Sequence, residues 1–99
     1  MAKFDVYRRG DGPGYLLDCQ ADLLDMLNTR LVVPLLPPEE APKPAARLNP
    51  ALEVEGQPVV MVTQFASAVM VRELGESVGS LLSEQDAIGL ALDMLISGF

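Results

Sequence analysis

The chain has 99 residues, a net charge of −7 and a single cysteine. Its few Lys and Arg residues argue against nucleic acid as a direct ligand, because phosphate binding needs clusters of positive charge. The lone thiol excludes an internal disulfide, and no apolar run approaches the ~18 residues of a membrane-spanning helix. We therefore expect one cytoplasmic domain over residues 1–99, since a domain usually holds on the order of 100–200 residues.

The first part of the chain predicts a β-hairpin. Apolar and polar residues alternate over residues 3–7, as in a half-buried strand. Residues 8–14 (RRGDGPG) are typical of a flexible turn, and residues 15–20 are predicted to return as a second strand. Cys19 lies in that strand, and we expect it to be a small buried core residue. The following segment, residues 22–28, fits either one helical turn or a loop.

The middle of the chain combines a strand with a proline-rich segment. Residues 31–36 (LVVPLL) are strand-like, and Pro34 predicts that this strand lies at a sheet edge or contains a bulge. Residues 37–50 contain five prolines, which exclude a long helix or a central strand. We expect a surface loop here, with a disordered linker as the alternative.

Residues 52–54 and 59–63 predict a second hairpin that turns around Gly56. Residues 68–71 are a candidate further strand. The segment from Val78 to Leu82 is predicted to be only a connection to the terminal helix.

The predicted helix runs from Ser83 to the end of the chain. Ser83 is its expected N-cap, with Asp86 in the first turn. At about 100° per residue, one broad face is apolar, formed by Ile88, Ala91, Leu92, Leu95, Ile96 and Phe99. A narrow polar strip holds Gly89, Asp93 and Ser97. The apolar face is wide enough to need cover on more than one side, either from its own small core alone or from that core together with another chain.

Short strands followed by a single helix predict a mainly β domain with a C-terminal α-helix, arranged as a small β-barrel. The chain contains no His, no metal-ligand spacing and no phosphate-binding glycine loop. We therefore expect a protein that is not an enzyme and that needs no cofactor and no metal.

Several short runs occur in the same order as in the CcdB toxin family, which the chain resembles over nearly its whole length. These runs are Asp22-Leu23-Leu24-Asp25, Arg30-Leu31-Val32-Val33-Pro34-Leu35, Arg47-Leu48-Asn49-Pro50, Val59-Val60-Met61-Val62-Thr63 and the end Ala91-Leu92-Asp93-Met94-Leu95-Ile96-Ser97-Gly98-Phe99.

The resemblance implies an SH3-like β-barrel of the CcdB/MazF toxin type that forms a homodimer. It implies the toxin of a type II toxin–antitoxin system, with a CcdA-like antitoxin as one partner. The other implied partner is DNA gyrase, which the toxin would bind on its A subunit and trap on cleaved DNA. Carried over position by position, the gyrase-binding residues are Leu23, Leu24, Asp93, Ile96, Ser97, Gly98 and Phe99.

The end of the chain departs from the family pattern, which closes with Trp-Gly-Ile and has Asn four residues before the Trp. This chain has Ser97 in place of the Trp and Asp93 in place of the Asn. One alternative is therefore a member that binds its antitoxin but no longer poisons gyrase. Another is a MazF-like endoribonuclease with an arginine-based site that uses Arg8, Arg9 or Arg30.

Overall fold

Seven antiparallel strands form a half-barrel sheet that one C-terminal helix closes, in a computed structural model that describes residues 1–98. The strands are β1 (Asp5–Arg8), β2 (Tyr15–Asp18), β3 (Thr29–Leu36), β4 (Ala51–Val54), β5 (Gln57–Met61), β6 (Ser67–Met70) and β7 (Ser77–Ser80). The helix α1 spans Gln85–Ser97, and short 3-10 turns occupy Asp22–Leu24, Thr63–Phe65, Val71–Glu73 and Leu82–Glu84. The strand order is β4-β5-β3-β2-β1-β7, with β6 paired beside β3. The predicted fold class is confirmed.

The longest strand, β3, lies in the middle of the sheet, so the expectation that Pro34 places it at an edge or a bulge is wrong. One side of β3 pairs with β2 in regular register. The other side pairs with β6 as far as Val32 and with β5 from Leu35 onward. The Pro34 carbonyl accepts from Val62 N–H at 3.0 Å, so its nitrogen faces that same side, in the gap between the two partners. The N–H that proline lacks would therefore have had no partner strand at this position.

The core lies between the inner face of the sheet and the first half of α1. Leu17 pairs with Val33 in the register of β2 and β3, and both side chains point into the core. The buried cluster consists of Phe4, Val6, Leu17, Cys19, Val33, Leu35, Leu52, Val54, Val59, Met61, Leu81, Ile88 and Ala91. Cys19 is thus the small core residue that the sequence predicts.

The segment expected to be a plain connection, around Val78, is a strand instead. β7 pairs with β1 through Asp5 and Ser80, and the register shifts between Val6 and Tyr7. The two predicted hairpins and the further strand after Ser67 are present as β1–β2, β4–β5 and β6.

The helix begins two residues later than its predicted start. Residues Leu82–Glu84 form a 3-10 turn, Glu84 stands at the N-cap, and no side chain caps the helix. The expectation that Ser83 is the N-cap is therefore wrong. At the other end, Gly98 has φ +80° and donates its N–H to the Met94 carbonyl at 3.1 Å. Glycine adopts this left-handed conformation without strain, so it ends α1 after Ser97.

The proline-rich segment, residues 37–50, has neither helix nor strand, as expected of a surface loop. It is fastened to the barrel by the buried side chain of Asn49. The Asn49 amide donates to the Met61 carbonyl at 3.0 Å and to Gln64 Oε1 at 2.8 Å, and its Oδ1 accepts from Ala45 N–H. Within residues 1–98, no helix has the length and apolar character needed to span a membrane.

Candidate functional site

The first candidate surface is the leucine loop, which we define as residues 21–28 between β2 and β3. All eight of its residues are exposed. Leu23 is 82% exposed and Leu24 is 43% exposed. The sequence prediction named these two but missed Met26 and Leu27, which are also exposed. Their position in the same short loop was the signal that could have found them.

The leucine loop is attached to the barrel by hydrogen bonds rather than by packing. Lys3 N–H donates to Asp22 Oδ1 at 2.7 Å, and Val71 N–H donates to the Asn28 carbonyl at 2.9 Å. The Gln20 side-chain amide donates to the Leu24 carbonyl at 3.0 Å. The loop is thus tied at its beginning, middle and end.

The second candidate surface is the last turn and a half of α1. Ile88 and Ala91 are buried, and Leu92 packs against the core from a half-buried position. Further along, Leu95 is 43% exposed and Ile96 is 78% exposed. The apolar face predicted from periodicity is therefore buried only in its first half, because α1 extends beyond the core.

All six predicted site residues that the structure describes are exposed: Leu23, Leu24, Asp93, Ile96, Ser97 and Gly98. Phe99 lies outside the described residues. The site residues belong to two separate elements, and within residues 1–98 no hydrogen bond joins the leucine loop to α1. The helix packs instead against the Thr63–Phe65 turn, where Phe65 is half exposed.

A buried ion pair lies on the other face of the sheet. Arg30 Nε donates to Asp18 Oδ2 at 2.9 Å, and Nη2 lies 2.6 Å from the same oxygen. Asp18 pairs with Val32 in the ladder, so Arg30, two residues earlier on β3, is its diagonal neighbour. Both side chains are at most 1% exposed. Burial, followed by the negative charges of Asp5 and Asp18, raises the pKa of nearby Tyr7.

This pair bears on the arginine-based ribonuclease site considered above. Arg30 is enclosed and already paired, so it does not face a ligand in solution. Arg8 Nη2 donates to both carboxylate oxygens of Glu55, at 2.8 and 3.0 Å, and Tyr15 Oη donates to Glu55 Oε1. Arg9 donates to the Pro13 carbonyl. The three arginines therefore have partners within the chain and do not converge on one open site.

The single thiol and the acidic side chains provide no further candidate site within residues 1–98. Burial, with a smaller contribution from Asp18, raises the pKa of the Cys19 thiol to about 12, so the thiol stays protonated at neutral pH. Within residues 1–98, no group of three or more His, Cys, Asp or Glu side chains could hold a metal ion. A cavity of about 330 Å³ lies beside the β1–β2 turn, and its walls include Tyr15, Pro37 and Pro58. It contains none of the predicted site residues.

Nearly the whole chain matches the model of one protein family. A family model described as CcdB protein matches residues 3–98. The chain belongs to the CcdB family. No curated protein gives a significant match to it.

Solved structures of toxins share this CcdB-family fold at low sequence identity. An endoribonuclease in complex with its cognate antitoxin from mycobacterial species is 16% identical, with a TM-score of 0.76, and the match covers 95% of this chain and 92% of that one. The Mycobacterium tuberculosis toxin MazF-mt6 is 18% identical, with a TM-score of 0.70 and 90% of each chain covered. At such identities the likeness establishes the fold, and the CcdB and MazF types share it.

Proposed function

We propose that this CcdB-family chain is the toxin of a type II toxin–antitoxin pair. In this proposal it binds the A subunit of DNA gyrase and traps the enzyme on cleaved DNA. The contact surface consists of Leu23, Leu24, Asp93, Ile96, Ser97, Gly98 and Phe99. One observation carries the proposal: the apolar residues at these positions, above all Leu23 and Ile96, are exposed rather than used in the core.

Exposed apolar side chains at these two elements suit binding to another protein. A Leu or Ile side chain gains about 1.5–3 kcal/mol when it is fully transferred from water to an apolar contact. Leu23 and Ile96, which are 82% and 78% exposed, gain little of that free energy within the chain. Clustered apolar side chains ringed by polar residues are typical of interaction sites.

In this proposal the protein acts by binding and has no catalytic chemistry of its own. The buried Arg30 and protonated Cys19 support that reading, because neither is available to a substrate. We further propose a cytoplasmic homodimer of single-domain chains that a CcdA-like antitoxin neutralises. The antitoxin bound to one of the structurally similar toxins supports the choice of partner.

The proposal is tested by titrating the purified gyrase A subunit with the protein and two variants, Leu23→Asp and Ile96→Asp. Each charge would be placed in a desolvated contact, so we expect each variant to bind at least ~10-fold more weakly. Leu82→Asp is the matched control, because Leu82 is 56% exposed and lies outside the proposed surface. If wild type does not bind the gyrase A subunit, or if all three variants bind alike, the proposal is wrong.

A second assay separates the binder from the ribonuclease alternative. The protein is incubated with a labelled RNA pool without gyrase. We expect the RNA to remain intact, and cleavage that increases with toxin concentration would favour the MazF-like activity instead.

A further inference from the structure

Within the leucine loop, a 3-10 turn and three short-range backbone hydrogen bonds of 3.0 to 3.2 Å are the only internal contacts that give the chain its shape. None of residues 21–28 is buried, so the loop contributes no side chain to a core. Surface segments without buried contacts open at low free-energy cost. Groups outside the loop must therefore fix its position on the barrel and support its short internal turn. Gln20, the residue immediately before the loop, is buried and is positioned to do so.

The Gln20 side chain joins the loop to β3. Its Nε2 donates to the Leu24 carbonyl at 3.0 Å, in the middle of the loop. Its Oε1 accepts from Leu31 N–H, also at 3.0 Å, at the residue whose carbonyl accepts a backbone bond from Cys19 N–H at 2.8 Å. Because one partner is an acceptor and the other a donor, only one orientation of the amide satisfies both.

The buried ion pair in turn fixes Gln20. Gln20 N–H donates to Asp18 Oδ1 at 3.0 Å, while Arg30 Nε donates to the other carboxylate oxygen of Asp18. A continuous series of hydrogen bonds therefore runs from Arg30 through Asp18 and Gln20 to the Leu24 carbonyl. The two bonds to Asp18 are buried and shielded from competing water, whereas the two bonds of the Gln20 amide are partly buried.

We propose that Gln20 is a positioning residue for target binding, whose side-chain amide holds the leucine loop in the shape that presents Leu23 and Leu24. This inference rests on the proposed function, because it assigns those leucines to the gyrase contact. A loop that is already ordered loses less conformational entropy when it binds. Loss of the amide would therefore weaken binding without removing any contact residue.

Two variants separate the two bonds of the amide. In Gln20→Met the new side chain has a similar length but is no hydrogen-bond donor and only a weak acceptor, so both bonds are lost. Gln20→Glu keeps an acceptor for Leu31 N–H but, when ionised, offers no donor to the Leu24 carbonyl. Asn49→Leu is the control, since Asn49 is an equally buried amide that fastens a different surface loop.

The experiment combines amide hydrogen exchange with titration of the gyrase A subunit. In Gln20→Met we expect exchange at Leu24, Asp25, Leu27 and Leu31 to accelerate at least ~10-fold relative to the Val33 amide, and binding to weaken by a similar factor. Gln20→Glu should keep protection at Leu31 and lose it within the loop. Asn49→Leu should lower the unfolding midpoint yet leave loop exchange and affinity unchanged.

The two arms distinguish failure of this inference from failure of the proposed function. The exchange arm needs no gyrase, and unchanged loop exchange in Gln20→Met would overturn the positioning role. Weakening of binding by Gln20→Met and Asn49→Leu in proportion to their loss of stability would also overturn it, because the effect would then be merely structural. Absence of binding by wild type would overturn the proposed function instead.

Discussion

At the scale of single residues, Gly14 shows how closely the β1–β2 turn approaches the sheet. Its φ is +101°, and a Cβ added there would lie 2.4 Å from the Leu35 carbonyl oxygen, which is too close for any real contact. Gly10, in the same turn, has open space around it. Only glycine therefore fits at position 14, whereas position 10 tolerates a side chain.

We predict that Gly14→Ala lowers the free energy of unfolding by about 1–3 kcal/mol, because it adds both backbone strain and a clash with β3. Gly10→Ala should change it by less than about 0.5 kcal/mol. Urea denaturation of the two variants measures the difference. Equal midpoints would show that the turn does not pack against β3 as described.

Cys19 makes stability depend on pH in the alkaline range. Its folded pKa of about 12 lies above the ordinary value of 9.0, so the folded state holds the proton more tightly than the unfolded state. The resulting stabilisation is fully present below pH 9 and is lost as pH rises from 9 toward 12.

We predict that raising the pH from 8 to 10 costs wild type on the order of 1 kcal/mol more than it costs Cys19→Ala. Tyr7 and Tyr15, whose pKa values are also raised, are present in both proteins and cancel in the comparison. Denaturant titrations at the two pH values provide the measurement. Parallel pH dependences would mean that the thiol is not desolvated.

At the scale of elements, α1 divides into a structural half and a presented half. Ile88 is fully buried in the core, whereas Ile96, two turns later, is 78% exposed. The same residue type therefore serves two purposes on one helix.

We predict that Ile88→Ala lowers the free energy of unfolding by about 2–5 kcal/mol, the usual cost of an emptied core position. Ile96→Ala should stay within about 0.5 kcal/mol of wild type and instead weaken binding to the gyrase A subunit. Thermal or chemical denaturation, paired with the binding titration, tests both statements. A large stability loss in Ile96→Ala would place that residue in a packed contact, contrary to this account.

The elements that sequence could predict are those with a local signature. Alternation over residues 3–7 indicated a strand, and Gly56 between two apolar runs indicated the turn between β4 and β5. β7 (Ser77–Ser80) has only one apolar residue besides glycine, and it is a strand because it pairs with β1. Tertiary pairing of this kind leaves no periodic pattern to read.

The candidate site could be predicted only in part, because some of its features depend on three-dimensional packing and leave no local pattern in the sequence. Helical periodicity correctly placed Ile88 and Ala91 toward the core, but it contains no information about how far α1 extends beyond it. The exposure of Leu95 and Ile96 therefore appeared only in three dimensions. Likewise, the Asp18–Arg30 pair depends on the register of two strands, which single residues do not reveal.

At the scale of the whole molecule, this small barrel exposes more apolar surface than its own fold explains. Eleven large apolar side chains are exposed within residues 1–98, including four in the leucine loop and three on α1. A second copy of the chain would cover part of this surface, and two-fold dimers are the commonest symmetric assembly.

We predict that the protein is a homodimer at micromolar concentration. Sedimentation equilibrium should give twice the mass of the chain. A species with the mass of one chain at these concentrations would contradict the prediction and leave the exposed apolar side chains to other partners.

We propose that the end of the chain, together with the leucine loop, traps gyrase on cleaved DNA. The most direct measurement is gyrase-dependent DNA cleavage in vitro with wild type, a truncation that lacks residues 97–99, and Ser97→Trp. We predict cleavage with wild type, none with the truncation although it remains folded, and more with Ser97→Trp, because a partly buried ring adds on the order of 1–3 kcal/mol at an interface. Unchanged cleavage by the truncation, or no cleavage even by Ser97→Trp, would contradict the account.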